Sequence, residues 1–157
     1  MLIEKIQNLI QPLVVSLFAI GMFISASLAH AQSLDEARQL HADASRTMLE
    51  FFSSGDAAKF DEAIALYKKA KSAYASLSAN LKPSPAADNM KWLAGVYSQS
   101  IDLKLSVYDD YMKTHTAKEA PATRTKKIKA EGKEYLVSKD NQVNADLLAK
   151  ELKDFKK

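Results

Sequence analysis

Histidines are the first residues to consider for chemistry, and their surroundings in the sequence do not form a site. The chain contains three histidines and no cysteine. Neither His41 nor His115 has a second histidine or a carboxylate at ligand spacing on its own helical face. The sequence also has no H-E-x-x-H, G-x-S-x-G or glycine-rich phosphate motif. We therefore interpret both histidines as partly exposed structural residues, and we predict no metal and no cofactor.

Acidic pairs are the other candidates for catalysis. They are Asp61-Glu62 and Asp109-Asp110. Adjacent residues on a helix point about 100° apart, so neither pair by itself can converge on one metal ion or one glycosidic oxygen. Solvated charges or charges at a helix start explain these pairs better. The sequence therefore predicts a protein that is not an enzyme.

A cluster of basic residues is the clearest charged feature, and it comprises Arg124, Lys126, Lys127, Lys129 and Lys133. Its candidate partners are an anionic membrane surface, lipopolysaccharide, a cell-wall polymer or an acidic protein. The simpler interpretation, which we favour, is a solvated, flexible segment that keeps the protein soluble.

Trp92 is the single tryptophan and falls in the opening turns of a predicted helix. It could flank a binding groove, as aromatic anchors do in many interfaces. Core packing beside Leu93 is the interpretation that we favour. The candidate binding residues that the sequence provides are Trp92, Arg124, Lys126, Lys127 and Lys129.

Residues 1–31 have the three-part pattern of a secretory signal peptide. Lys5 precedes an uncharged apolar run from Leu13 to Leu28, and Ala29-His30-Ala31 is a cleavage site with small residues at both key positions. We predict cleavage between Ala31 and Gln32 and a periplasmic or secreted protein. The alternative is an uncleaved N-terminal membrane anchor. Export argues against nucleic acid as a partner, and the lack of cysteine excludes disulfides and a lipid anchor on cysteine.

The remaining residues 32–157 suit one domain built from helices, because glycine and proline are scarce. The first helix is predicted over about 34–53, with Ser33 and Glu36 as a capping box and Gly55 able to take a left-handed cap conformation. Its predicted apolar stripe is Leu34, Ala37, Leu40/His41, Ala44, Met48 and Phe51.

Two longer helices follow. The second is predicted over about 58–81, where apolar residues alternate at steps of three and four: Phe60, Ala63, Tyr67, Ala70, Tyr74, Leu77 and Leu81. The third is predicted from Pro85, with Ser84 as its cap, to about His115. Its stripe is Met90, Leu93/Ala94, Tyr97, Ile101, Leu105, Tyr108 and Met112.

The C-terminal part is more basic and less regular. Residues 116–123 are predicted to be a linker that contains Pro121. Residues 124–139 are weakly patterned, and Glu134 to Val137 fits a short strand or a helical turn equally well. Asn144 is the predicted cap of a final helix over 145–155, which we expect to dock on the overhanging end of the third helix.

Gly55-Asp56 and the run Phe60-Asp61-Glu62-Ala63-Ile64-Ala65-Leu66-Tyr67-Lys68-Lys69-Ala70 together resemble the second helix of a tetratricopeptide repeat. That family places small residues where Ala63 and Ala70 stand and a large one at Tyr67. The same run is similar to microtubule-interacting and trafficking domains, which are three-helix bundles. Both families bind peptides or helices of other proteins, so the resemblance implies the same mode here. Three features depart from the repeat pattern: residues 57–59 are inserted before Phe60, Met48 stands where a small residue is expected, and no Gly-Asp turn occurs near Gln99.

These observations predict an all-α fold, an antiparallel three-helix bundle like tetratricopeptide repeats with a short C-terminal helix. The predicted segments are a signal peptide over 1–31, the bundle over 32–116 and a basic linker with the last helix over 117–157. The predicted function is an exported protein–protein interaction module whose partner is another protein or peptide. The alternative is an envelope- or small-ligand-binding protein that uses the basic segment or a pocket between helices.

Overall fold

The computed structural model describes residues 34–114 and 125–156. The predicted signal peptide, the linker over 116–123, His115 and Arg124 lie outside these residues. Within the two described ranges, no helix is both long enough and apolar enough to cross a membrane.

The described chain is mostly helical. Helix α1 covers residues 34–54, α2 covers Ala57–Asn80 and α3 covers Pro85–Thr114. A β-hairpin of β1 (Thr125–Ala130) and β2 (Lys133–Ser138) follows, and then a 3-10 turn over Lys139–Asn141 leads into α4 (Gln142–Asp154). The predicted all-α class is confirmed in outline, and the hairpin adds a small two-stranded antiparallel sheet that the prediction did not include.

The seams predicted for α2 and α3 face the core. In α2, all of the predicted seam except its last residue, Leu81, is buried: Phe60, Ala63, Tyr67, Ala70, Tyr74 and Leu77. In α3 the buried residues recur every seven positions, at Ala87, Ala94, Ile101 and Tyr108. A seven-residue repeat keeps one face of a helix against its neighbours along its whole length. In α2 alanine alternates with tyrosine along the seam, so the small residues let the helices approach closely and the tyrosines fill the space between them.

The turn between α1 and α2 is built as its sequence predicts. Gly55 has a positive φ of 72° and donates its N–H to the carbonyl of Phe51 at 2.7 Å. Asp56 caps α2, since its Oδ1 accepts from the Ala58 N–H at 2.9 Å. Ser84 caps α3 in the same way, accepting from the Ala87 N–H at 3.1 Å. These caps fix where each helix begins and ends.

Replacing Gly55 with alanine is expected to lower the free energy of unfolding by about 1 kcal/mol, because a β-carbon is disfavoured at positive φ. No atom lies within 4 Å of that β-carbon, so the effect is one of backbone conformation. The matched control is Gly95→Ala within α3, which also has open space. It should raise stability by about 0.5–1 kcal/mol through helix propensity. Urea denaturation of both variants checks the opposite signs, and equal changes would contradict this account.

Helix α1 is buried on more than one side. The predicted stripe is correct for Ala37, Ala44, Met48 and Phe51, but Ala42, Ser45, Leu49 and Phe52 are buried as well. One side meets α2, where Ser45 Oγ lies 3.0 Å from Tyr67 Oη. Another side meets the C-terminal elements, where Arg46 Nε donates to Glu131 Oε2 at 2.6 Å. When a helix is covered on two sides, nearly all of its side chains must be either apolar or paired with hydrogen-bonding or charged partners.

The hairpin gives a regular structure to the segment that the sequence left weakly patterned, and of the two alternatives for Glu134 to Val137 the strand is correct, within β2. Its two-residue turn is Glu131-Gly132, with φ of 50° and 77°, and this combination matches the twist of paired strands. Its inward face is buried through Ile128, Ala130, Tyr135 and Val137. The alternation of apolar and polar residues in β1 was not apparent from the sequence, because lysines occupy positions on both faces of that strand.

Helix α4 also differs from its prediction. It begins at Gln142 with Asn141 at the cap position, so Asn144 lies inside the helix and is not its cap. It docks against α1 and the middle of α3, not against the end of α3. Glu151 contacts Lys104, and the Phe155 ring lies 5.7 Å from that of Tyr97. The reason is chemical, since Lys104 is a partly buried cation that needs a carboxylate.

Candidate binding surfaces

A polar cluster lies where α1, α2, α3 and α4 meet. Its side chains are His41, Ser45, Tyr67, Lys104 and Glu151. Ser45 Oγ lies 2.7 Å from Glu151 Oε2 and 3.0 Å from Tyr67 Oη, so the hydroxyl can donate to the carboxylate while it accepts from the phenol. The other carboxylate oxygen, Oε1, forms an ion pair with Lys104 and lies 3.1 Å from His41 Nε2. Glu151 therefore links α4 directly to α1 and α3, and Ser45 extends the link to Tyr67 of α2.

Electrostatics within the cluster favour a charged Glu151 and a neutral His41. Burial by itself would raise the pKa of Glu151, but the His41 hydrogen bond and the Lys104 charge lower it from 4.5 to about 2. Burial lowers the pKa of His41 more than Glu151 raises it. Burial likewise lowers the pKa of Lys104, which Glu151 partly offsets. His41 is consequently neutral at pH 7, and it donates to the Glu151 carboxylate when its proton lies on Nε2.

His41 is not the partly exposed residue that the sequence predicted. It has no exposed surface, and its ring contacts those of Tyr67, Tyr74, Tyr97 and Phe155 edge-on at centroid distances of 5.0–6.2 Å. Its Nε2 lies 2.9 Å from Lys104 Nζ. A neutral Nε2 can accept from that ammonium or donate to Glu151, but not both. The ring is therefore a packed element of the interface that also joins the ionic pair.

Serine, histidine and glutamate are the residue types of a hydrolytic triad, but their arrangement here differs from one. The Ser45 hydroxyl lies 3.1 Å from the main-chain oxygen of His41, and no hydrogen bond links it to the ring nitrogens. Both Ser45 and His41 are fully buried, so a substrate in solvent does not reach the hydroxyl. The geometry suits a structural role. The Ser45 hydroxyl is one of the contacts that hold Glu151, and with it α4, against α1 and α3; we call this set of contacts the clamp at Glu151.

A cleft of about 350 Å³ opens beside the cluster, between α4 and α3. It is lined by Tyr97, Leu147, Lys150, Glu151, Asp154 and Phe155. The aromatic rings supply an apolar wall, while both Glu151 oxygens are already engaged by the cluster. The cleft has room for a side chain or a small molecule, but its most buried carboxylate is not free to bind one.

Exposed apolar side chains form a row along α3. Trp92 is 70% exposed, Val96 42%, Leu103 68% and Val107 40%. Steps of four, seven and four residues place them on one face of the helix, opposite the buried Ala94, Ile101 and Tyr108. We call these four residues the α3 stripe. The preference for Trp92 in the core was wrong, because the helix turns its core residues away from this side.

The hairpin presents a second surface. Lys127 pairs in register with Leu136, and Lys129 pairs with Glu134. Paired residues in an antiparallel sheet share a face, so these four side chains point away from the buried face of Ile128 and Tyr135. We call these four residues the lysine face. Lys127 Nζ lies 2.6 Å from Glu134 Oε1. The exposed Lys126 and Lys133 pair with Val137 and Ala130 and so lie on the other face of the hairpin.

The predicted binding residues thus fall on two separate surfaces. Trp92 lies on α3, whereas Lys126, Lys127 and Lys129 lie on β1. Sequence reasoning missed Val96, Leu103 and Val107, although their spacing from Trp92 on the face opposite the seam was a usable signal. It also missed Ser45, Lys104 and Glu151. No pattern in the sequence links these three, because they come from helices far apart in the chain.

Within residues 34–114 and 125–156, no group of three or more histidine, cysteine or acidic side chains is placed to hold a metal ion. Comparisons with protein-family models, with curated proteins and with solved structures find no match for this chain. Its function must therefore be argued from its own surfaces.

Proposed function

We propose that this protein is an exported interaction module that binds an amphipathic helix of another protein along the α3 stripe. The observation that carries the proposal is the row of apolar side chains at Trp92, Val96, Leu103 and Val107, which are 40–70% exposed. Single exposed apolar residues are ordinary on protein surfaces, whereas an aligned row of them is typical of an interaction site.

The dimensions of the stripe suit a helix. From Trp92 to Val107 the stripe runs for about four turns, or about 22 Å at 1.5 Å per residue. A partner helix with apolar residues at the same spacing would pack its side chains between those of the stripe. We therefore expect a partner helix of at least four turns with one apolar face.

Trp92 is the expected anchor of this interface. Tryptophan is enriched among the few interface residues that carry most of the binding free energy. Its large side chain is mostly solvent-exposed in the free protein, so a partner could remove much apolar area from water. Leu103, which lies about three turns further along the helix, provides a second exposed apolar contact.

The charges beside the stripe favour a basic partner over a second copy of this chain. Exposed Asp102, Asp109 and Asp110 lie along the C-terminal half of α3. Lys71 pairs with Asp102 at 2.5 Å, and Lys113 serves both of the other two aspartates, which leaves a net acidic border. A second copy packed in parallel would bring these like charges together, whereas a helix with basic flanks complements them. The resemblance to tetratricopeptide repeats, whose members bind helices, agrees with this mode.

Selection of helical peptides from a random display library on the purified protein tests the proposal. Enriched peptides should be amphipathic and basic, and Trp92→Ala should raise their Kd by about 30-fold, which is the effect of a typical hot-spot residue. Fluorescence anisotropy with labelled peptide measures the change. Leu103→Ala should also weaken binding.

Leu147→Ala is the matched control, because Leu147 is an equally exposed leucine on α4, away from the stripe. It should leave the Kd unchanged. The proposal fails if no helical peptide is enriched, or if Trp92→Ala binds the selected peptides as tightly as the original protein. It also fails if sedimentation shows a dimer that Leu103→Glu dissociates, since the stripe would then be covered by a second copy.

A further inference from the structure

The lysine face has a fixed orientation. Its strands bury Ile128, Tyr135 and Val137 against the rest of the protein. Shifting the register by one residue would bury the lysines and expose this apolar set. Lys127 and Lys129 are therefore held outward by the packing of the opposite face, and the hairpin presents them as one surface.

This surface carries a net positive charge. On the outward face Lys127 and Lys129 stand against the single acidic residue Glu134, whereas Lys126 and Lys133 pair in register with Val137 and Ala130 and lie on the other face. Glu131 does not neutralise them, because Arg46 Nε holds its carboxylate at 2.6 Å on the inner side. Glu134 pairs with Lys127, but both side chains are exposed, so this pair is weak and can be exchanged for another anion.

An apolar side chain stands among the lysines. Leu136 lies opposite Lys127 on the outward face and is 48% exposed. Lysines around an apolar side chain match the boundary of a bilayer, where anionic headgroups lie above hydrocarbon. A nucleic-acid surface would instead present aromatic or hydrogen-bonding side chains towards the bases. Leu136 gains nothing from contact with phosphates alone.

From these contacts we propose that the lysine face binds the surface of an anionic phospholipid bilayer, with Lys127 and Lys129 at the headgroups and Leu136 at the acyl boundary. This site is separate from the α3 stripe, so the protein could remain at a membrane while α3 holds its partner. Each lysine near an anionic surface strengthens binding by about fivefold. The attraction falls within a Debye length of about 10 Å at 0.1 M salt.

Vesicle co-sedimentation of the full chain tests the proposal. The vesicles contain phosphatidylcholine with phosphatidylglycerol, and pure phosphatidylcholine vesicles serve as the comparison. The protein should bind the anionic vesicles and release from them as salt is raised. Lys127→Gln combined with Lys129→Gln should lower the partition coefficient by about 25-fold, from two lysines at about fivefold each. Circular dichroism should remain unchanged, since both side chains are exposed.

The matched control is Lys68→Gln combined with Lys69→Gln on α2, which removes the same charge from two adjacent exposed lysines. It should change binding by no more than about twofold, because charges away from the bilayer are screened. Leu136→Ser should weaken vesicle binding without altering its salt dependence. Equal binding to both kinds of vesicle would overturn the proposal, as would an equal loss in the α2 control. Binding to duplex DNA or to an acidic peptide in preference to the anionic vesicles would overturn it too.

Discussion

Replacing Glu151 with glutamine is expected to lower the free energy of unfolding by about 3 kcal/mol, the cost of breaking a buried ion pair on one side. The amide keeps the shape of the side chain and can still accept from Ser45. The substitution removes the negative charge that Lys104 pairs with. The ammonium of Lys104, whose side chain is only 19% exposed, is then left without its partner in a mostly buried position. Chemical denaturation at pH 7 measures the change.

Asp154→Asn is the control for this experiment. Asp154 is exposed and lines the same cleft one turn further along α4, so its stability change should stay within about 0.5 kcal/mol. A double-mutant cycle with Lys104→Met adds a sharper criterion. Removing the ammonium after the carboxylate should cost less than removing it first, with a coupling of about 2 kcal/mol. Additive effects would show that the pair does not hold α4.

Acid is expected to destabilise the protein in two stages that both trace to this cluster. The pKa of Glu151 is lowered from 4.5 to about 2 in the folded protein. The charged carboxylate therefore contributes to the free energy of unfolding above pH 4.5, and this contribution is lost as the pH falls towards 2. This loss amounts to about 3 kcal/mol. The pKa of His41 is also lowered, from 6.5. Below pH 6.5 the unfolded chain therefore takes up a proton that the folded chain excludes, and stability begins to fall there.

Urea denaturation at a series of pH values between 7 and 2 measures both stages. The Glu151→Gln variant should lose the steep part below pH 4.5, because it has no carboxyl group to titrate at this position. Other carboxylates, such as Glu131 and Glu134, whose pKa values are also lowered, remain in both proteins and cancel in the difference. If the two proteins show parallel pH profiles, Glu151 is not a source of the acid sensitivity.

The helical part of the fold could be predicted because its signals are local. The apolar residues from Phe60 to Leu77 recur at steps of three and four, a spacing that places them on one face of a helix. That face is buried. Gly55 ends α1 through a backbone conformation that depends on its own lack of a side chain. The period of α3 is equally clear, although its outer face carries Trp92 and Leu103, which hydropathy alone assigns to the core.

The hairpin and α4 could not be predicted in the same way. In β1, Ile128 and Ala130 face inward among lysines, so the alternation is short and its apolar members are few. The strands are stable because Tyr135 and Val137 are buried against other parts of the protein. Likewise, nothing near Glu151 in the sequence indicates that Lys104 and Ser45 will surround its carboxylate.

Local sequence patterns were enough to predict helices α1 to α3, the caps at Gly55 and Ser84 and the seams along α2 and α3, because residues three and four apart meet on a helix whatever the rest of the chain does. Which polar residues meet depends instead on how the helices and the hairpin pack together. Burial of His41 and the clamp at Glu151 depend on segments far apart in the chain, whereas the α3 stripe and the lysine face are local rows that stay exposed because the opposite faces of α3 and of the hairpin are packed. Such contacts depend on which faces pack together, and that packing is a property of the whole fold.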